Sequence, residues 1–576
     1  MNIILGINCF HADSSACLIV DNKLVAAVEE ERLNRIKHFA GLPIKSIEYC
    51  ISKLDCDKEL INNVAINSNP GSNFKDKIFY SLRNPTTLHN KLKNFFNRQK
   101  LKLNIGEQLK KNFGLKNFKV QRIDHHLSHI ASSYYACEFK ECLAVSVDGF
   151  GDFASINIAK IDDGKIEILD KVVFPKSLGV FYEGITQYLG FPNYGDEYKM
   201  MGLAAFGQPT RYDELKKVLF KDTLNPNEMN INYFNHHSNT FVYSFVGTPK
   251  QSDLLNNKFD KIFNLKRTKE EKILQAHMDL AASAQKLFEE IIFELLKKYK
   301  NISKNLILSG GCAMNSVANG HLIKKGIFDN IFIPYAPGDG GGSIGAAAQV
   351  SYEIHKSKPK FVENPYLGPS FTDNEIERAI KRNITENKTF KIFKFESEKE
   401  TQKNLSKLLS EGKVVGYFQD SMEFGSRALG NRSILCDPRI EKIDEYLNLK
   451  IKRRESFRPF APSIIEHEVL NWFEQKCKSP YMSFVLDVKN DKKKIIPAVT
   501  HFNGTGRLQT VTEKLNKKYY NLINEFYKIT KVPILLNTSF NENEPIVCNP
   551  DDALKCFLRT KMDVLCLQNF IMVRKS

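Results

Sequence analysis

Apolar residues enter the chain in short blocks separated by turn signals. Asn2–Asn8 is apolar, Ser15–Val20 is apolar after a polar loop, and Leu24–Glu29 follows the tight turn Asp21-Asn22-Lys23, so three successive strands are predicted. Much later, Cys142–Asp148, Ala154–Ile161 and Lys165–Leu169 repeat that layout, with Asp162-Asp163-Gly164 as the turn. The pattern reads as a weak internal duplication of an α/β fold. In each copy a polar loop, Asn8–Ser14 or Gly149–Asp152, joins the first strand to the second. Two such loops facing across a cleft can hold a nucleotide's phosphates through backbone N–H groups.

From Glu270 to Tyr299 apolar residues recur at helical spacing and end in lysine, which predicts a long amphipathic helix. NLILSGGCAMNSVANGHL then reads as strand, glycine turn and helix, and IFIPYAPGDGGGSIGAAAQV repeats the scheme. The stretch 209–270 is polar and weakly periodic, an expected insertion or lid. Around 356–369 the sequence turns Lys- and Pro-rich without apolar periodicity, and the linker is placed there. The expected organisation is a domain over 1–355 and a second mixed α/β domain over 370–576.

At 576 residues the chain exceeds the roughly 100–200 of one domain. With 42% hydrophobic and 26% charged residues it reads as globular rather than disordered. No run approaches the roughly eighteen apolar residues of a membrane-spanning helix, so no membrane role is expected. The N-terminus lacks the basic start of a signal peptide and reads as a strand. Twelve scattered cysteines without a CxxC fit reduced thiols and a cytoplasmic location. The net charge of +17 is partly diffuse lysine surface, as in KKNFGLKNFK, and partly arginine inside glycine-rich motifs, which suits anions.

DHHLSHIASSYY reads as a helix start with Asp124 as N-cap. His125 and His129 are four residues apart, so on a helix they share a face and can bind one metal ion, while His126 points elsewhere. By themselves they also fit two surface or cap histidines. Asp148 in SVDGFGD and Asp339 in PGDGGGSIG supply carboxylates from loops of the same domain. Two imidazoles and two carboxylates suit Fe, Mn or Zn, and poorly suit Mg alone. The glycine turns LSGGCAMN and PGDGGGSIGAAAQ precede helices and leave N–H groups for an anion, or simply pack tightly. There is no P-loop, no GxGxxG that follows a strand with an acidic partner, and no HExxH.

The densest motif lies in the second domain. In GYFQDSMEFGSRALGNRSILCDPR and IKRRESFRPFAP, Arg427, Arg432, Lys452, Arg454 and Arg458 fall among glycines, proline and aromatics. Rigidly held guanidiniums suit a small phosphorylated or carboxylated substrate; pairing with Glu423, Asp437 and Glu455 is the other reading. HFNGTGRLQTV adds Arg507, and NTSFNENEPIV adds Asn537, Asn541 and Glu544.

With these segments the sequence resembles the NodU/CmcH carbamoyltransferases. HADSSACLIVD, VEEERLNRIKH, DHHLSHIASSYY, VDGFGD, SLGVFYEGITQYLGF, KMMGLAAFG, LSGGCAMNSVANG, PGDGGGSIGAA, MEFGSRALGNRSIL, KRRESFRPFAPS, GTGRLQTV and LNTSFNENEPIV follow in family order over almost the whole chain. The resemblance implies a duplicated actin/Hsp70-like (ASKHA) ATPase domain followed by a YrdC-like α/β domain. It implies an ATP-dependent O-carbamoyltransferase in which carbamoyl phosphate and ATP give carbamoyl-adenylate, whose carbamoyl group passes to a hydroxyl of a small-molecule or glycan acceptor. The metal then falls on His125, His129, Asp148 and Asp339, with Fe(II) favoured, and Mg(II) accompanies ATP. His11 matches the residue that takes the acceptor's proton, although Ala12 intervenes here where many members read HDSSA, and Lys37 matches a charged catalytic position. Nucleotide contacts are expected at Gly149, Gly151, Lys199, Gly310, Gly311, Asn315, Gly338 and Gly340. Carbamoyl phosphate contacts are expected at Arg427, Asn431, Arg432, Lys452, Arg454, Arg458, Arg507 and Asn537.

The acceptor pocket is expected between the metal and the loops 68–100 and 209–270. A homodimer stays open. Threonylcarbamoyl transfer to tRNA is the enzyme alternative, and a basic nucleic-acid-binding protein the alternative of another class; no basic stripe with interleaved aromatics supports the latter.

Overall fold

The structure, a computed structural model, describes residues 1–84, 104–220, 223–238, 241–244, 246–384 and 389–575. Of the two expected acceptor loops, 85–100, 221–222, 239–240 and 245 lie outside the described residues. The chain forms two compact units, Met1–Ala318 with Lys325–Glu363, and Asn319–Lys324 with Asn364–Ser576. Among the described residues no helix is long and apolar enough to cross a membrane.

In the first unit the three opening strands form as expected: Ile3–Asn8 (β1), Ser15–Val20 (β2) and Lys23–Glu29 (β3). They pair antiparallel, while Asn63–Ile66 (β4) and Lys119–Arg122 (β5) continue parallel on the other side of β1. The order is β3-β2-β1-β4-β5. The second sheet repeats it. Glu141–Gly151 (β6), Ala154–Asp162 (β7) and Lys165–Val173 (β8) are antiparallel, and Asn305–Ser309 (β9) and Asn330–Phe332 (β10) run parallel to β6. Two sheets of the same order and strand directions are the duplicated actin/Hsp70-like arrangement.

Every residue of β1 is buried, so both of its faces need cover. Ile3, Leu5 and Ile7 pack into a core with Ile47, Ile105 and Leu109. The opposite face meets the helix Gly342–His355. The helix that follows each fifth strand crosses to the other copy: His125–Ala136, after β5, packs on β6 and β9, and Gly342–His355, after β10, packs on β1, β2 and β4. The two crossing helices also touch, and Gly345 lets them, because a Cβ there would lie 1.8 Å from the Ser128 carbonyl oxygen.

Three expectations change. The loop placed at Gly149–Asp152 is mostly strand, since β6 runs on to Gly151 with a register shift between Val147 and Gly151. Such an irregularity re-aims side chains at a strand end, here Asp148. The long helix starts at Gln275 rather than Glu270, because Arg267 Nη1 donates to the Glu271 carbonyl at 2.6 Å and holds that segment in a turn. The described part of 209–270 is folded, with Leu215, Leu219, Phe259 and Phe263 buried from the helices Tyr212–Leu219 and Asn257–Phe263.

The second unit is built on one nine-stranded mixed sheet, an α/β domain as the resemblance implies. Arg432–Cys436, Ile534–Ser539, Ala461–Ile465 and Thr505–Val511 are adjacent strands within it. Their ends carry the arginine motifs.

Candidate metal and anion sites

The four expected ligands of the first unit converge. Asp124 caps the first crossing helix, its side chain accepting from Leu127 N at 3.1 Å, which starts the helix at His125 and puts His125 and His129 on one inward face. Their Nε2 atoms are 3.0 Å apart and lie 3.3 and 2.9 Å from Asp148 Oδ2. Asp339 Oδ1 is 3.5 Å from His125 Nε2 and 3.6 Å from His129 Nε2. The fold's pseudo-symmetry produces this meeting: Asp148 lies near the end of β6 as His11 lies just past β1, and Asp339 precedes the second crossing helix as His125 begins the first. His126 points away, to Ser146 Oγ at 2.8 Å, and burial lowers its pKa to about 4.

Burial alone would raise the Asp148 and Asp339 carboxyls. For Asp148 the contacts of His125 and His129 outweigh it, and for Asp339 the His11 charge does, so both are held well below the ordinary carboxylate range. Burial likewise opposes a charge on His129, yet the two carboxylates carry it up to about 9.

A metal ion suits this group. Asp339 Oδ1 is buried and has no hydrogen-bond partner, and one donor atom from each of the four side chains lies within 4.8 Å of the others. Two imidazole nitrogens and two carboxylate oxygens together carry the two negative charges that neutralise a divalent transition ion. Asp339 Oδ2 meanwhile holds His11 Nδ1 at 2.6 Å, so one carboxylate links the cluster to His11 despite the intervening Ala12.

A second acidic-histidine group, Asp13, Glu31 and His38, was not singled out from the sequence. Its charges are already balanced. His38 Nδ1 meets Asp13 Oδ1 at 2.8 Å, Glu31 accepts from His38 N at 2.8 Å, and Glu31 also pairs with Arg32. Burial opposes the His38 charge, but Asp13 above all, then Glu31 and Glu197, carry it up to about 9.

The expected nucleotide residues divide. Gly149 N and Gly311 N donate to Asp148 Oδ1 at 2.8 and 3.3 Å, which ties both glycine segments to that carboxylate. Gly310 N is bonded to the Pro337 carbonyl at 2.8 Å, and the Gly338–Gly340 turn carries Asp339. Gly151 borders His125. A Cβ there would lie 1.8 Å from His125 Cδ2, so the position makes room for the imidazole. Asn315 exchanges hydrogen bonds of 3.0 Å with Gln285, and Lys199 pairs with Asp196 at 2.9 Å. Lys37 is exposed on the loop before His38.

In the second unit four of the expected arginines gather. Arg427, Arg454 and Arg458 all act on Arg507, which burial first and their charges next hold well below the ordinary guanidinium range. Of the carboxylates considered as their partners, Glu455 pairs with Arg458 at 3.5 Å, Asp437 pairs instead with Arg439 at 2.6 Å, and Glu423 accepts from three backbone N–H groups, of Leu429, Asn431 and Arg432. Arg432 and Lys452 differ from that group. The Arg432 guanidinium is fully buried, donates to the carbonyls of Gln419, Asn431, Pro369 and Asp420, and lies 3.6 Å from the Phe418 ring centroid. Lys452 Nζ donates to the Ser539 and Asn541 carbonyls at 2.7 and 2.9 Å and to both side chains, and burial holds its pKa well below the ordinary lysine value. Asn431 Nδ2 donates to the Ser421 carbonyl at 2.8 Å, and Asn537 Nδ2 to Gln509 Oε1 at 2.9 Å. His501, beside Arg507, is not evident from sequence reasoning, although the motif HFNGTGRLQTV contains the signal.

Family comparison agrees with both halves of this layout. The carbamoyltransferase N-terminus matches residues 3–348 and the carbamoyltransferase C-terminus residues 406–574. The chain belongs to the carbamoyltransferase family. It is an enzyme that transfers carbamoyl groups. Protein sll1178 of Synechocystis is 35% identical over 100% of this chain and 97% of its own length. Nodulation protein NolNO of Sinorhizobium fredii is 34% identical over 99% of this carbamoyltransferase and 80% of its own length. Among solved structures, component A of the (R)-2-hydroxyglutaryl-CoA dehydratase of Acidaminococcus fermentans overlaps 62% of this chain and 99% of its own, at 14% identity and a TM-score of 0.32.

Proposed function

We propose that this carbamoyltransferase uses ATP, with Mg(II), to convert carbamoyl phosphate to carbamoyl-adenylate in the C-terminal unit and passes the carbamoyl group to an acceptor hydroxyl at the His11 site of the N-terminal unit. The observation that carries this reading is the junction at Asp339, where one carboxylate faces His125 and His129 through Oδ1 and holds His11 through Oδ2.

In the C-terminal unit, Arg427, Arg454, Arg458 and Arg507 bind the phosphoryl oxygens of the dianion through charge-assisted contacts. Water hydrolyses carbamoyl phosphate to carbamate and phosphate, and a carbamate oxygen then attacks the α-phosphorus of ATP and displaces pyrophosphate. Arg432, Lys452, Asn431 and Asn537 act from behind, by fixing the loops that present these arginines. In the N-terminal unit the adenylate approaches along the Gly310–Gly311 and Gly338–Gly340 turns, which border Asp148 and Asp339, with Lys37 and Lys199 as positive charge. His11 is the base: with Nδ1 turned to Asp339, Nε2 takes the proton as the acceptor oxygen attacks the carbamoyl carbon and AMP departs. His125, His129, Asp148 and Asp339 would hold a divalent ion, Fe(II) by the family resemblance, whose chemistry is Lewis-acid polarisation of phosphate or carbonyl oxygen. The acceptor is a hydroxylated metabolite or glycan.

The test is product formation by Fe(II)-loaded protein with Mg-ATP, carbamoyl phosphate and a panel of sugars and hydroxylated metabolites. AMP, pyrophosphate and a carbamate ester are expected together. Absence of both adenylate and AMP across the panel rejects the reading, and loss of threonylcarbamoyl-adenosine from tRNA on gene deletion would replace it.

A further inference from the structure

Two buried nitrogens of opposite character lie at the start of the strand Thr505–Val511, and neither has a hydrogen-bond partner: Arg507 Nε, a donor, and His501 Nε2. A tight turn fixes His501. Its N donates to the Thr505 carbonyl at 2.7 Å, and its carbonyl accepts from Gly504 N at 2.8 Å. Its Nδ1 lies 3.2 Å from Thr505 Oγ1, whose own hydrogen goes to Asn503 Oδ1 at 2.7 Å. With that hydrogen committed, Thr505 Oγ1 accepts, and the imidazole proton is assigned to Nδ1. Burial first, then the Arg507 charge, push His501 down to about 3 against the weaker pull of the Phe460 carbonyl. The ring is therefore neutral, and Nε2 carries a lone pair on a ring that lies beside Arg507.

We propose that His501 and Arg507 read the carbamoyl amide itself: the amide N–H donates to His501 Nε2 and the amide oxygen accepts from Arg507 Nε–H. The assignment rests on carbamoyl phosphate occupying the arginine cluster. A phosphate or carboxylate oxygen at His501 would set lone pair against lone pair, and a methyl group would leave the buried acceptor unsatisfied. An amide satisfies both atoms at once. Acetyl phosphate, which carries CH3 where carbamoyl phosphate carries NH2, is the probe that isolates the contact, since the two share the acyl oxygen and the phosphoryl group.

The test compares the full-length wild type, His501→Phe and His501→Gln for competitive binding of carbamoyl phosphate, acetyl phosphate and inorganic phosphate. Wild type is expected to favour carbamoyl over acetyl phosphate. His501→Phe should lose about tenfold to a hundredfold of that preference with inorganic phosphate affinity unchanged, and His501→Gln, whose Oε1 can accept, should recover part of it. An unchanged carbamoyl-to-acetyl ratio in His501→Phe overturns the proposal. If His501→Phe fails to bind inorganic phosphate, its fold is lost and the ratio in His501→Gln decides: a ratio reduced but still in favour of carbamoyl phosphate supports the contact, and a ratio equal to that of wild type overturns it, as does one with no preference left. A wild type that binds inorganic phosphate but not carbamoyl phosphate overturns the cluster assignment as well, which separates the two failures.

Discussion

Gly151 shows how much of the metal site rests on what one residue lacks. Its Cα borders the His125 ring, so Gly151→Ala drives a methyl into the imidazole. Bound metal is expected to fall at least about tenfold, measured as metal per chain, because misplacing a ligand or its support typically costs about 10–100-fold in affinity. The shared face of His125 and His129 was legible, since four-residue spacing after a capping aspartate dictates it. The role of Gly151 was not, because a glycine for phosphate contact and a glycine for clearance look alike in a sequence. The same holds for charge: Arg432 stands in a motif that suits anions, yet four backbone carbonyls from three segments accept from it. His38 yields a pH prediction. Its pKa, raised from 6.5 to about 9, means that the Asp13–His38 pair contributes fully to stability below the unfolded value and loses that contribution as pH climbs through about 9. The melting temperature should drop over that window, and Asp13→Asn should flatten the drop.

At the scale of elements, the crossing helices decide where the ligands meet. The strands β1–β3 and β6–β8 followed from alternating apolar blocks and turn residues, and the Asp124 cap from its position before the helix. That the His125 and Gly342 helices touch did not, because the contact joins segments about two hundred residues apart in a chain of 576 and leaves only a small residue as its trace. Gly345→Val should separate them by overpacking against the Ser128 carbonyl, at about 2 kcal/mol. The expected readouts are a lower melting temperature together with reduced metal content; wild-type metal content in a correctly folded variant would show that the approach of the helices does not set the site.

At the scale of the molecule, the proposed chemistry divides between the two units, and metal removal tests that division. Protein stripped by a chelator should keep carbamoyl-phosphate-dependent exchange of pyrophosphate into ATP while losing carbamoyl transfer to the acceptor; parallel loss of both would tie the ion to adenylation. The sequence by itself determined the strands, the duplication, the cap and the candidate residue types, because these depend on periodicity and on neighbours a few positions away. Tertiary structure alone decided which charges face one another: it joined Asp339 to His11 and His125, gathered four arginines with a neutral histidine beside one of them, Arg507, and enclosed Arg432 and Lys452 in backbone carbonyls. Local pattern selects an element, but the solvation and partners of a charged group depend on distant segments that only the folded chain brings into contact.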